Sequence, residues 1–191
     1  MDPRAAEMLG FWFGPAAAEP AMRPLWFTKS DATDQEIAER FGPLVEEALA
    51  GGLADWTAPA DAVLARILLL DQFTRNVFRS RPRSFDGDAL ALAASRALCA
   101  GGADLALPPL RRAFAYLPFE HAEDLACQDE AVARFTRLAA EAPLLQGMLD
   151  YAHRHREVIA RFGRFPHRND ILGRASTPDE VRFLQQPGSR F

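Results

Sequence analysis

Lysine, cysteine, long apolar runs and strand patterns are all scarce or missing in this 191-residue sequence. Of its 22 basic residues only Lys29 is a lysine. The rest are arginine, whose planar fork makes bidentate anion contacts that an ammonium cannot. The two cysteines, Cys99 and Cys127, cannot form a four-thiolate metal site, and they make no C-x-x-C pair. Both stand in apolar helical patterns and read as buried thiols in a reducing compartment. The most apolar stretch, Val63 to Leu70, contains Arg66 and falls far short of the roughly 20 residues a membrane span needs. Met1-Asp2-Pro3-Arg4 opens no signal peptide, since no long apolar run follows. A basic excess is missing too: the net charge is -4 and the pI about 5.6, which argues against a general nucleic-acid binder. These absences predict a soluble cytoplasmic protein whose partners include neither membrane nor nucleic acid. There is no G-x-S-x-G, P-loop, H-E-x-x-H or EF-hand loop. A di-iron bundle wants Glu-x-x-His on two helices, and only Asp150-x-x-His153 is present. No metal and no cofactor is therefore expected.

What is present is helix after helix. Asp2 and Pro3 make an N-cap and first helical position, and Gly14-Pro15 stops that helix after Phe13. Thr33-Asp34-Gln35-Glu36 reads as a capping box for a second helix that Gly42-Pro43 kinks and Gly51-Gly52 ends. A third, from about Pro59 to Phe73, is apolar on nearly every side and so is predicted to be central. Further helices are expected over about 86–100, 109–117, 123–140 and 144–162. Thr177-Pro178-Asp179-Glu180 starts the last one. With short connections and no linker, residues 1–191 read as a single all-α domain of about eight antiparallel helices. Trp12, Trp26 and Trp56 read as core, although Phe11-Trp12-Phe13 is too wide for one helix face.

Three segments break the pattern of one apolar and one solvated face. Asp71-Gln72-Phe73-Thr74-Arg75-Asn76 attaches polar groups to the most apolar helix, where each needs a partner. Phe119-Glu120-His121-Ala122-Glu123-Asp124 opens an acidic stretch, which suits the first turn of a helix on dipole grounds but also supplies carboxylates beside a histidine. Arg161 to Asn169 is rich in arginine and histidine, on a loop between Gly163 and Pro166. The opposite charges of the second and third segments let each compensate the other. All three are predicted to converge in one partly open cavity, with Asp71, Glu120 and Arg164 near each other. His153 and Glu157, four apart, read equally well as an exposed helix pair.

These same stretches carry a resemblance. Leu68 to Asn76, Tyr116 to Leu125 and Arg161 to Asn169 resemble the bacterial domain-of-unknown-function family numbered 924. Phe11-Trp12-Phe13-Gly14 and Leu172-Gly173-Arg174 with Ser176-Thr177 fit the same pattern, so the resemblance spans essentially the whole chain. It implies a fold similar to tetratricopeptide-type α/α superhelices, and it carries no catalytic residues with it. The family pattern has proline where this chain has Thr74 and serine where it has Ala122. Thr74 is therefore expected to let the third helix run on, and Ala122 removes a capping hydroxyl.

Three functions fit the residues. The first is binding of an anionic small molecule or peptide in a groove, with Asp71, Arg75, Asn76, Arg164, Arg168, Asn169 and His167 as contacts. The second is a small-molecule hydrolase or lyase, with Glu120 or Asp124 as general base and His121 or His167 as proton-transfer partner. The third is a protein-interaction module without chemistry, which would show a large exposed apolar patch.

Overall fold

In the computed structural model, which describes residues 1–15 and 21–189, regular structure is helical and no strand occurs among the described residues. The α-helices are α1 (Pro3–Phe13), α2 (Asp31–Leu49), α3 (Ala60–Leu68), α4 (Thr74–Val77), α5 (Asp88–Ala100), α6 (Pro109–His121), α7 (Leu125–Glu141), α8 (Gln146–Phe162) and α9 (Pro178–Leu184). Short connections fold successive helices back on each other. α6 packs on α7 and α7 on α8, while α3 packs against α1, α5 and α6.

The local signals explain most boundaries. The Asp2 carboxylate caps α1 through the Arg4 N–H at 2.8 Å. Gly163 ends α8 with a φ of 68°, a left-handed turn that glycine adopts without penalty. Thr177 and Glu180 form the expected capping box of α9. Elsewhere tertiary context moved the ends. α2 begins at Asp31 with Ser30 as its cap, not at the Thr33 box, and it runs through Pro43 without a break. α6 runs through Pro118 to His121, four residues beyond the expected stop at Leu117. Glu120 and His121 therefore belong to the last turn of α6 rather than to the first turn of the next helix. Their flanking residues Pro118 and Phe119 are sealed in the core, where packing offsets the N–H that proline lacks.

α3 is the central helix, with Leu64, Ala65, Ile67 and Leu68 each fully shielded from solvent. It does not continue as a plain α-helix to Phe73. Residues Leu69–Phe73 widen into a π-turn, and α4 follows it directly. The Thr74 N–H reaches the Leu69 carbonyl and the Thr74 hydroxyl donates to the Leu70 carbonyl at 2.7 Å. A proline at this position would lack that N–H. The core around the π-turn is aromatic: Trp12 and Phe41 lie 5.1 and 5.3 Å from the Phe73 ring, and Trp12 meets Phe114 edge-on at 5.9 Å. Trp12 and Trp56 are buried and Trp26 half-buried, so all three pack as expected. Cys127 is buried and Cys99 half-buried, and both are free thiols. No helix among the described residues is long and apolar enough to cross a membrane.

Candidate functional site

The π-turn shifts the register of the helix so that Asp71 points into the protein beside the end of α6. Such turns recur at functional sites because they redirect side chains without ending a helix. The Asp71 side chain is 1% exposed, yet it is an ion. Its Oδ1 lies 2.6 Å from His121 Nδ1, its Oδ2 accepts from Gln72 Nε2 at 2.5 Å, and Arg75 Nη1 is 3.5 Å from Oδ1. Arg75 also donates to the Asp71 carbonyl. Burial works to raise the Asp71 pKa, but the His121 and Arg75 charges and the donated hydrogen bonds outweigh it. The carboxyl is held well below the usual range. An ionised carboxylate only accepts, so Nδ1 of His121 carries the proton and Nε2 is turned away from Asp71. The His121 side chain is 16% exposed, which makes it the open member of a sealed pair.

A ring of charge surrounds this pair. Asp88, the first residue of α5, lies 3.0 Å from Arg75 and 3.3 Å from Arg168. Arg168 also donates to the His121 carbonyl at 3.1 Å, satisfying a helix-end acceptor, and its guanidinium lies 4.7 Å from the Phe85 ring and 4.5 Å from the Phe165 ring. Burial, then repulsion from Arg75, brings Arg168 down to about 10. Asp88 can come this close only because residue 87 is glycine: a Cβ there would stand 2.1 Å from the Leu70 carbonyl oxygen of the π-turn. Burial raises the Asp88 carboxyl above its ordinary value, against the pull of Arg75 and Arg168 beside it.

Behind His121 lies Glu120, 3% exposed. Its Oε1 is 3.0 Å from Nδ1 of His155, which is also 2.9 Å from the Tyr151 carbonyl of its own helix. Its Oε2 is sealed from solvent without a hydrogen-bond partner. Burial, with the Asp71 charge adding to it, pushes Glu120 up to about 8. Burial likewise pushes His155 down to about 3, with His121 and Arg168 contributing. The His121 and His155 rings lie 6.2 Å apart. Gln128 of α7 holds this end of α6 by donating to the Glu120 and Ala122 carbonyls at 2.6 and 2.8 Å.

The expected convergence therefore occurs in part. Asp71, Arg75, Glu120, His121 and Arg168 come together. Arg164 does not: it pairs with Glu180 at 2.7 Å and donates to the Ala175 carbonyl. Asn76 turns the other way and donates to Asp34 at 2.8 Å, beside Arg79 at the start of α2. Asp124 caps α7 through the Cys127 N–H at 2.8 Å. Asn169 is buried in the C-terminal loop, donating to Ser176 and accepting from Arg174. His167 lines a separate depression of about 580 Å³ with Ser80, Pro166, Asp170, Ile171, Ser176 and Leu184. Arg164, Asn76 and Asp124 share one reason: each satisfies a nearby carboxylate or helix end instead. Glu120, once read as a general base, is too deeply enclosed to touch a substrate.

Gln72, Asp88 and His155 had not been singled out. His155 had a legible signal, since it shares the buried face of α8 with Ala152, Val158 and Ile159, while His153 and Glu157 are exposed. Asp88 had none, because its role depends on the approach of α5 to the π-turn. Among the described residues no group of three or more His, Cys, Asp and Glu side chains could hold a metal ion. The exposed large apolar side chains, such as Phe27, Leu105, Leu144 and Val181, come from separate elements.

A family model described as a bacterial protein of unknown function (DUF924) matches residues 8–188. The solved structure of a protein of unknown function, ATU0120 from Agrobacterium tumefaciens, superposes with a TM-score of 0.82 at 38% identity, covering 95% of this chain and 96% of that one. No curated protein matches.

Proposed function

We propose that this chain, which belongs to the bacterial DUF924 family, carries an acid–base site for a reaction of a small molecule, with His121 as the proton-transfer group. The observation that carries this reading is the 2.6 Å contact between a sealed, ionised carboxylate and a partly exposed imidazole. Asp71 fixes the tautomer and ring orientation, so that Nε2 of His121 can take a proton from a bound substrate and return it. This is the orienting half of a triad without its nucleophile, which suits hydrolysis by an activated water or elimination. Gln72, Arg75 and Asp88 form the lip around His121. Arg75 is 22% exposed there and paired with Asp71 and Asp88.

A screen of ester, amide and phosphoester hydrolysis and of elimination from small hydroxy and amino acids tests this, with His121→Ala alongside wild type. Expected is turnover that falls roughly 10²- to 10⁴-fold in the folded variant. Turnover that survives His121→Ala in a folded protein, or none in any class, would overturn the reading.

A further inference from the structure

We propose that Glu120 is a positioning residue for the acid–base site, a buried proton holder that keeps a second negative charge away from the Asp71–His121 pair. This deepens the reading of His121 as the proton-transfer group and rests on it. Glu120 cannot be a catalytic residue, since it is 3% exposed and lies behind His121. Its surroundings have the opposite character to those of Asp71. Asp71 accepts from Gln72 and His121 and has Arg75 as an ion-pair partner at 3.5 Å, as an ionised carboxylate requires. Glu120 has one neighbour at hydrogen-bond distance, His155 Nδ1 at 3.0 Å, and a second oxygen with none. Among the described residues no arginine or lysine pairs with it. A buried carboxylate so poorly served is costly, and the cost is avoided by keeping the proton.

The two carboxyls thus divide one task by environment. Among the described residues, Asp71 on the π-turn acts on Glu120 directly and His155 on α8 touches it at 3.0 Å, while His121, Arg168 and His167 bear on His155. With Glu120 neutral, His121 feels the single negative charge of Asp71, and Arg75 and Asp88 offset each other at the lip. Were Glu120 ionised, the extra charge behind the ring would favour the imidazolium of His121. A ring that holds its proton is no base. Glu120 would also repel Asp71 and strain the packing of α6 on the π-turn.

Nuclear magnetic resonance of the full chain tests this without relying on turnover. The Glu120 side-chain carbon and the His121 ring signals are followed across pH in wild type and in Glu120→Gln. The wild-type Glu120 carbon should titrate near 8, and the His121 ring should report an inflection at the same pH. In Glu120→Gln that inflection should vanish while the ring's own titration stays. A Glu120 carbon that titrates as an ordinary carboxyl, or a His121 ring indifferent to it, would overturn the proposal. The wild-type measurement decides the matter even if Glu120→Gln does not fold. Where turnover is found, its pH profile in Glu120→Gln should lose the alkaline limb. If no turnover is found but the linked inflection is present, the positioning role stands and the acid–base function alone fails.

Discussion

Two charged networks meet at the end of α6, and they follow different rules. The C-terminal clasp is saturated. Glu123 accepts from Arg174 at 2.6 and 2.9 Å and from the Phe165 N–H at 2.8 Å, Arg174 reaches Asn169 at 3.0 Å, and Arg164 grips Glu180. Each carboxylate there is held below its ordinary value once the arginine contacts have outweighed burial. In the π-turn cluster Asp71 is held low, Glu120 is pushed up to about 8, and Glu120 Oε2 and Asp88 Oδ1 accept no hydrogen bond. Structural networks satisfy every member, whereas a site keeps groups whose pKa values are driven apart. Sequence composition does not distinguish the two, because both are arginine with acid.

The sharpest way to break this comparison is to neutralise a carboxylate in the cluster. Asp71→Asn keeps the shape but removes the charge that orients His121. Turnover should fall by roughly 10²- to 10⁴-fold in a steady-state assay, with circular dichroism showing the helices intact. A loss no larger than that from altering the clasp would mean the two networks do the same job.

Next comes pH. Glu120 binds its proton more tightly folded, near 8, than at its ordinary 4.5, so its contribution to stability is lost as pH rises from 4.5 through about 8. His155 has the reverse sign: its value drops from 6.5 to about 3 on folding, so its contribution grows as pH rises through that range. The two slopes oppose each other between 4.5 and 6.5. From 6.5 to about 8 His155 no longer opposes Glu120, whose share of stability in urea unfolding should fall by about 1.4 kcal/mol per pH unit. Glu120→Gln should flatten that decline.

Gly87→Ala probes the same cluster through the backbone. The added methyl cannot share space with the Leu70 carbonyl, so α5 must retreat and take Asp88 from Arg75 and Arg168. A loss of about 1–3 kcal/mol in chemical denaturation is expected. The clasp should respond to Glu123→Ala by about 1–2 kcal/mol, chiefly from leaving the Phe165 N–H and Arg174 without their acceptor, and in a salt-dependent way. The smallest effect belongs to Arg164→Ala, where thermal unfolding should shift only slightly and the His121 ring signals should not move. If they do, the two networks are coupled.

The helical class, the central place of α3, the start and end of α1, the Gly163 stop and the Thr177 capping box were determined by sequence alone, because caps, glycine and apolar spacing act within a few residues. That the segments Asp71 to Asn76, Glu120 to Asp124 and Arg164 to Asn169 would approach each other was also legible, since charges attached to a buried helix demand partners of opposite sign. Which arginine would answer was not, for Arg164 and Arg168 are alike in sequence and only the folded loop puts one on Glu180 and the other on Asp88. The tertiary structure alone decided that Pro118 does not stop α6, that α3 widens at Leu69–Phe73, and that His155 closes on Glu120. In each case the cause is packing from a distant part of the chain. Core burial around Phe119 outweighs one missing hydrogen bond, and the close approach of α5 at Gly87 fits against a carbonyl that no local pattern records.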